Sequence, residues 1–311
     1  MNLQEQILKR KKLSDGTMKN YIANINKLHK AITNETEIKN LDFLKKKKEV
    51  DEFLSKLNPT SKTNYYGVIL TLLDPESELH ESYRKDKQEN NFQNKKKSET
   101  QVNQKIQDKV IDIKNYDEML MKIKKAGLIQ DHIMFMLLKH YPMRNEIGGI
   151  EVLTLKEFKK LKEKTGNYLV IGSKQMFFYR TKYKTAKIYG DIKTIIEDKK
   201  VKKLLKDYIK DFDVGRRELF LNKKGGAMTN LETANRLSYV SEKYSGKLLS
   251  TSSIFKIVLA NFKGSGMKEY TDFINKMGNI RGTNTKDIIK YYVYNKSVKE
   301  INDEFSESKT D

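Results

Sequence analysis

The chain has 311 residues and carries 62 lysines and arginines against 41 aspartates and glutamates, a formal net charge of +21. This length predicts two domains, and a positive field of this size favours a polyanionic partner, with nucleic acid as the first candidate and an anionic membrane surface as the second. The absence of cysteine excludes disulfides, thiolate metal sites and cysteine nucleophiles. No apolar run of about 18 residues and no signal-peptide pattern occurs, so we expect an intracellular protein without a membrane span.

Compositional bias is a second explanation of the charge, because AT-rich genomes raise the usage of Lys, Asn and Ile. In that case the chain is a basic protein that binds another protein rather than DNA. Failure to bind duplex DNA at low salt would favour this explanation.

The first part of the chain predicts a helical bundle over residues 1–86. Apolar residues recur with a helical period from Met18 to Ile32, with Thr17 as the cap. A second helix is predicted over LDFLKKKKEVDEFLSKL, and a third, capped by Thr60 or Ser61, follows Pro59.

Residues 87–112 are predicted to be a polar connector. From Arg84 to about Gln107 the chain has almost no apolar residues and cannot bury a face of its own. A linker and a solvated helix both fit this composition.

The second domain is predicted over residues 113–295, followed by a C-terminal tail at 296–311. It begins with a helix at Asn115, where Asn115 and Glu118 have capping-box spacing, and a second helix ends at Pro142. Three short antiparallel strands are predicted at NYLVI, KQMFFYR and around KIYGDI, and helices follow. The predicted fold class is therefore α+β: an N-terminal all-α bundle and a mainly helical domain with a small three-stranded antiparallel sheet.

Several polar residues of the second domain could serve a site. Arg144 directly follows a helix that ends at Pro142, and Lys184 lies at a turn between strands. Ser253 and Lys256 are three residues apart and share one helix face. No histidine lies beyond position 140, so we expect no imidazole-bound metal there, and we expect no cofactor.

The order of these parts resembles the tyrosine recombinases: an Arg after a helix, a Lys in a hairpin, a helix that bears a third motif, and a terminal Tyr. The segments KTAKIYGD, LFLNKKGGAMTN and LLSTSSIFKIV resemble the branch of that family found in large DNA viruses and virophages. The resemblance covers most of the chain. It implies a core-binding-like first domain and a catalytic-type second domain.

The resemblance also implies roles for individual residues. Arg144 would bind the scissile phosphate, and Lys184 would be the general acid of the hairpin. Family members have a Gly-His pair with the nucleophilic Tyr nine residues after the His; here Gly282-Thr283 is followed by Tyr292 at that distance. Tyr292 would form the 3′-phosphotyrosyl intermediate, and Tyr291 and Tyr294 are the alternatives.

Two motifs depart from the family pattern. The His-x-x-Arg motif reads Ser253 to Lys256, and the later His or Trp position is Thr283. Lys256 supplies a charge without the bidentate geometry of a guanidinium, and Arg281 is close enough in sequence to compensate. These departures favour an alternative function, a catalytically degenerate DNA-binding or virion structural protein.

The expected partner is double-stranded DNA, and the resemblance implies a homotetramer on paired DNA sites, located at DNA in the host nucleus, a viral factory or the virion. The residues predicted to contact DNA are Lys45, Lys46, Lys62, Lys182, Lys187 and Arg281.

Overall fold

A helical first unit begins the chain. The structure is a computed structural model that describes residues 2–107, 111–262 and 267–292. The chain divides into two compact units, Met1–Val102 and Asn103–Asp311. The helices of the first unit are α1 (Leu3–Arg10), α2 (Asp15–Thr33), a 3-10 helix (Asp42–Lys45), α3 (Lys47–Ser55), α4 (Pro59–Leu72) and α5, which begins at Glu78 and ends at Gln107.

The core of this unit is apolar and lies mainly between α2 and α4. Ile25 and Leu28 of α2 are buried with Val68 and Ile69 of α4. Tyr83 of α5 is also buried, and its hydroxyl donates a hydrogen bond of 2.8 Å to the carbonyl of Leu44. Residues 87–107 of the predicted connector therefore continue a helix whose first turns belong to the core.

Three details of the first unit differ from the predictions. Ser14, rather than Thr17, caps α2, because its hydroxyl accepts the Thr17 amide. The second predicted helix is interrupted at Lys46, between the 3-10 helix and α3. Asn58 caps α4 by accepting the Ser61 amide, and Pro59 takes the first helical position, where its missing N–H leaves no intrahelical bond unmade.

The second unit contains nine helices of α type among the described residues and one sheet. The helices are α6 (Ile113–Lys125), α7 (Ile129–His140), α8 (Leu155–Lys160), α9 (Ala186–Tyr189), α10 (Lys199–Lys210), α11 (Asn230–Ser245), α12 (Thr251–Ala260), α13 (Met267–Arg281) and α14 (Thr285–Tyr292). α7 ends before Pro142 as predicted. Asp112, rather than Asn115, caps α6, since its carboxylate accepts the Asn115 amide.

The sheet has four strands rather than three. The strands are β1 (Glu151–Thr154), β2 (Asn167–Ile171), β3 (Met176–Arg180) and β4 (Ile192–Ile195), in the order β1-β2-β3-β4. The three predicted strands pair antiparallel, whereas β1 pairs parallel with β2 and was not predicted. The third predicted strand is placed too early, because residues 186–189 form α9.

The two faces of the sheet bury different side chains. Met176 and Phe178 of β3 face the main core, where they pack with residues of α6, α7, α11 and α12. Phe177 and Tyr179, on the opposite face, pack against Phe158 of α8. The α+β architecture is confirmed. Among the described residues, the helices are all too short or too polar to cross a bilayer.

Candidate functional site

The segment after α7 carries Arg144. It enters a 3-10 helix at Asn145–Gly149 that packs tightly against α11: a Cβ added at Gly148 would lie 1.9 Å from Thr233 Oγ1. The Arg144 side chain is half-buried, and its guanidinium makes no hydrogen bond or ion pair with the described residues. Its main chain is thus fixed by packing, while the guanidinium is available to an external anion.

Arg180, at the end of β3, is fully buried beside this segment. Its Nη1 donates a hydrogen bond of 3.0 Å to Glu146 Oε1, and its Nη2 donates to the carbonyl of Ile280. Burial lowers the pKa of Arg180, the nearby charge of Arg144 lowers it further, and Glu146 opposes both effects. The charge of Arg144 thus reaches Arg180, while the Glu146 carboxylate is paired with Arg180.

Arg281, at the end of α13, is 1% exposed and joins three segments. Its Nη1 donates to the carbonyls of Pro142 at 3.1 Å and Met143 at 3.3 Å, directly before Arg144. The same nitrogen lies 3.5 Å from the carbonyl of Thr251, and Nη2 donates to Ser252 Oγ at 3.1 Å. Its guanidinium also lies 4.5 Å from the centre of the Phe255 ring.

The prediction that Arg281 contacts DNA, or compensates for Lys256 at a phosphate, is therefore wrong. The guanidinium donates to main-chain carbonyls inside the protein and is not accessible to a DNA strand. Its role is structural, because it holds the residues before Arg144 against the start of α12.

Lys184 lies in the connection between β3 and β4, where it is exposed. The next residue, Thr185, donates a hydrogen bond from Oγ1 to the carbonyl of Gly282. Gly282 has φ +66°, and a Cβ at this position would lie 2.5 Å from the Tyr183 ring. The Lys184 turn is thus fixed against the turn that carries Thr283.

The third motif lies at the start of α12. Ser250 caps this helix by accepting the Ser253 amide at 3.1 Å, and the hydroxyls of these two serines lie 3.0 Å apart. Ser253 and Lys256 are both half-buried. Thr251 Oγ1 donates to Asn145 Oδ1 at 3.1 Å, which adds a second link between α12 and the residue after Arg144.

Thr283 follows α13 and precedes α14. It is half-buried, and its amide donates to the carbonyl of Gly278 at 3.0 Å, which closes a turn between the two helices. Tyr291 and Tyr292 end α14; the positions of their side chains lie outside the described part of the structure, as does all of Tyr294.

The lysines predicted to contact DNA are mostly exposed. In the second unit, Lys182 and Lys187 flank Lys184 and have exposed side chains. In the first unit, Lys45 and Lys46 are exposed and Lys62 is half-buried. Lys45 forms a surface ion pair of 2.7 Å with Asp42. Such exposed pairs contribute little free energy, so a phosphate could replace Asp42 as the partner of Lys45.

Sequence reasoning missed Arg180 and Glu146, which join β3 to the Arg144 segment. A signal for Arg180 was present: it continues the alternation of Met176 and Phe178, so a strand over these residues directs Arg180 to the core face. A charged residue at such a position requires a buried partner.

Comparisons with known proteins find similarity to solved structures only. No protein-family model matches this sequence, and no curated protein matches it. The crystal structure of XerA recombinase is similar over 97% of this chain and 97% of that chain, with 12% sequence identity and a TM-score of 0.41.

Proposed function

We propose that the protein binds double-stranded DNA and cuts and rejoins it through a tyrosine nucleophile, in the manner of the tyrosine recombinases of large DNA viruses and virophages that its motifs resemble. The observation that carries the proposal is the set of bonds made by Arg281. They hold the residue before Arg144 and the start of α12 together, directly beside Gly282, whose carbonyl accepts the bond from Thr185 next to Lys184. Four segments that are distant in sequence, and that the resemblance aligns with the family motifs, are thus linked.

The charge distribution supports a phosphate at this site. Arg144 has no carboxylate partner among the described residues, and the charge of Arg180 is neutralised by Glu146. The exposed side chains of Lys182, Lys184 and Lys187 add positive charge on the same loop. A phosphodiester supplies the missing negative charge and accepts hydrogen bonds from several directions.

In the proposed reaction the Tyr292 hydroxyl loses its proton to water, and the resulting phenolate oxygen attacks the phosphorus of the scissile phosphodiester. A bond forms between that oxygen and phosphorus, and the bond from phosphorus to the 5′ oxygen of the next nucleotide breaks. Lys184 donates a proton to the departing 5′ oxygen. Arg144 and Lys256 stabilise the negative charge that develops on the phosphate. Attack by the 5′-hydroxyl of another strand on the phosphotyrosyl bond rejoins the DNA and releases the tyrosine.

A suicide DNA substrate, nicked so that the cleaved fragment diffuses away, tests this proposal. Wild-type protein should form a covalent adduct with the 3′ end, and Tyr292→Phe should form none while it binds the same DNA. Tyr291→Phe is the matched control and should retain the adduct. If neither wild type nor any of these variants forms an adduct on DNA that it binds, the cleavage proposal fails.

A second function, DNA binding without cleavage, is favoured by one specific observation. Arg281, the residue closest to replacing the missing second arginine, is bound to main-chain carbonyls. Lys256 then supplies the only cation of that motif, and loss of one such donor commonly reduces the rate by about 10²- to 10³-fold. Binding that falls steeply with salt and is unchanged in Tyr292→Phe, without an adduct, would establish this second function.

A further inference from the structure

Lys47 and Lys87 are both half-buried lysines of the first unit, but only Lys47 has carboxylate partners. Lys47 Nζ lies 2.7 Å from Asp51 Oδ2 and bonds Asp86 as well, and it lies 4.8 Å from the centre of the Tyr83 ring. Burial alone would lower the pKa of Lys47, but the two carboxylates outweigh this effect and raise it. Its positive charge is compensated within the fold.

Lys87 is the next residue along α5 after Asp86, and it makes no hydrogen bond or ion pair with the described residues. Its pKa is lowered, first by burial and then by the charge of Lys11. The fold therefore brings two like charges towards each other and supplies no carboxylate to either side chain among the residues that the structure describes.

Lys11 and Lys87 line the same surface cavity, which has a volume of about 450 Å³ and belongs entirely to the first unit. Arg10 is the third cation of its lining, and the other lining residues, which include Leu70, Thr71 and Pro75, are neutral. Arg10 Nη1 donates to the carbonyl of Leu73 at the end of α4, and this bond fixes the guanidinium at the cavity. A guanidinium has five N–H donors, so others are left to donate to a ligand. Small-molecule sites have volumes of roughly 300 to 1,000 Å³.

We propose that this cavity binds a phosphate group through Arg10, Lys11 and Lys87. Three cations with no carboxylate in the lining favour an anion of more than one charge, and phosphate combines such charge with oxygens that accept from several directions. The phosphate is either part of a nucleic-acid backbone or part of a free polyphosphate. The inference does not depend on strand cleavage, and an inactive Tyr292 would leave it intact.

Two probes and three variants of the full-length chain test the proposal. The probes are tripolyphosphate, measured by titration calorimetry, and a short DNA duplex, measured by fluorescence anisotropy over a series of salt concentrations. The variants are Lys11→Gln, Lys87→Gln and the control Lys85→Gln, which removes an exposed charge of the same helix outside the cavity. Lys87→Gln should melt at the same temperature as wild type or higher, because it removes a repulsion.

Lys11→Gln and Lys87→Gln should each lower the affinity for one of the two probes about tenfold. Lys85→Gln should change the affinity for that probe less than twofold. Weaker tripolyphosphate binding with unchanged DNA binding identifies a free polyphosphate as the ligand. Weaker DNA binding, with a salt slope reduced by about 0.9, identifies a backbone phosphate. The proposal is overturned if wild type binds neither probe, if both cavity variants bind like wild type, or if Lys85→Gln loses as much as they do.

Discussion

Arg180 Nη1 lies 3.0 Å from Glu146 Oε1, and both side chains are buried. Glu146 also accepts the amide of Arg144 at 3.3 Å, so the pair connects the end of β3 to the residue predicted to bind phosphate. A buried ion pair adds little net stability over an apolar pair of similar size, but removal of one partner leaves the other charge uncompensated. The pair therefore fixes the geometry of this segment, and removal of either partner should destabilise the fold strongly.

Replacement of Arg180 alone should destabilise the second unit strongly. We expect Arg180→Met to lower the free energy of unfolding by about 3 to 5 kcal/mol, because Glu146 keeps a buried charge. The double variant Arg180→Met, Glu146→Met should recover part of this loss. Urea unfolding followed by circular dichroism measures both, and a double variant less stable than Arg180→Met would contradict the ion-pair explanation.

Gly282 should tolerate no side chain, whereas Gly246 should. Both have positive φ, +66° and +70°, so each substitution by Ala incurs a backbone cost of about 1 kcal/mol. A Cβ at Gly246 meets no atom within 4 Å, but one at Gly282 lies 2.5 Å from the Tyr183 ring. Gly282→Ala should therefore lower the melting temperature well beyond Gly246→Ala. Equal melting temperatures would mean that the Tyr183 ring moves aside freely.

The role proposed for Lys184 predicts a leaving-group effect. Lys184→Ala should slow cleavage of ordinary DNA by about 10²- to 10⁴-fold, the contribution of a general acid. If the 5′-bridging oxygen is replaced by sulfur, the leaving thiolate needs no proton, and the variant should cleave at nearly the wild-type rate. Lys187→Ala is the matched control, because it removes an exposed charge from the same loop. An equal loss on both substrates would assign Lys184 to DNA binding instead.

Asp198 should give the second unit an acid-dependent stability. Its carboxylate caps α10 by accepting the amides of Lys200 and Val201 at 2.7 and 3.1 Å. The bond from Val201 is the largest cause of its lowered pKa, with smaller contributions from the Lys200 amide and the nearby His140. A carboxylate with a pKa lowered by folding stabilises fully above the ordinary value of about 3.9, and this stabilisation is lost as the pH falls through the lowered pKa.

The comparison of wild type with Asp198→Asn isolates the charge, because both residues cap helices well. The difference between their urea midpoints should be constant from neutral pH to about pH 5 and should shrink below about pH 3.9. Burial lowers the pKa of His140, whose Nδ1 lies 3.6 Å from Asp198 Oδ2, so the series is repeated with His140→Gln to remove this titration. A difference that is independent of pH down to the most acidic point would contradict the assignment.

The elements that the sequence predicted well are those with local signals. The end of α7 was predictable because Pro142 cannot continue a helix, and β2 and β3 because their apolar residues are flanked by a Gly172 turn. β1 has four residues, two of them exposed at its ends, and its existence depends on pairing with residues 168–171. A parallel pairing of this kind has no local signature.

The candidate site also combines features with local sequence signals and features that depend on tertiary contacts. The positions of Arg144, Lys184 and Thr283 at turns followed from nearby Pro, Gly and strand residues, while their functions remain predictions. Arg281 was misassigned because its partners, the carbonyls at 142, 143 and 251, are supplied by tertiary contacts. A basic residue beside a glycine turn has the same local pattern whether it faces DNA or main-chain carbonyls.

The hydrogen bond from Arg281 to Pro142 joins residues 139 positions apart. During synthesis from the N-terminus, the first unit and most of the second leave the ribosome before Arg281 does. A nascent chain that ends before α13 is complete therefore has the Arg144 segment and α12 but not the guanidinium that joins them. The phosphate site that we propose can therefore assemble only after α13 has been synthesised.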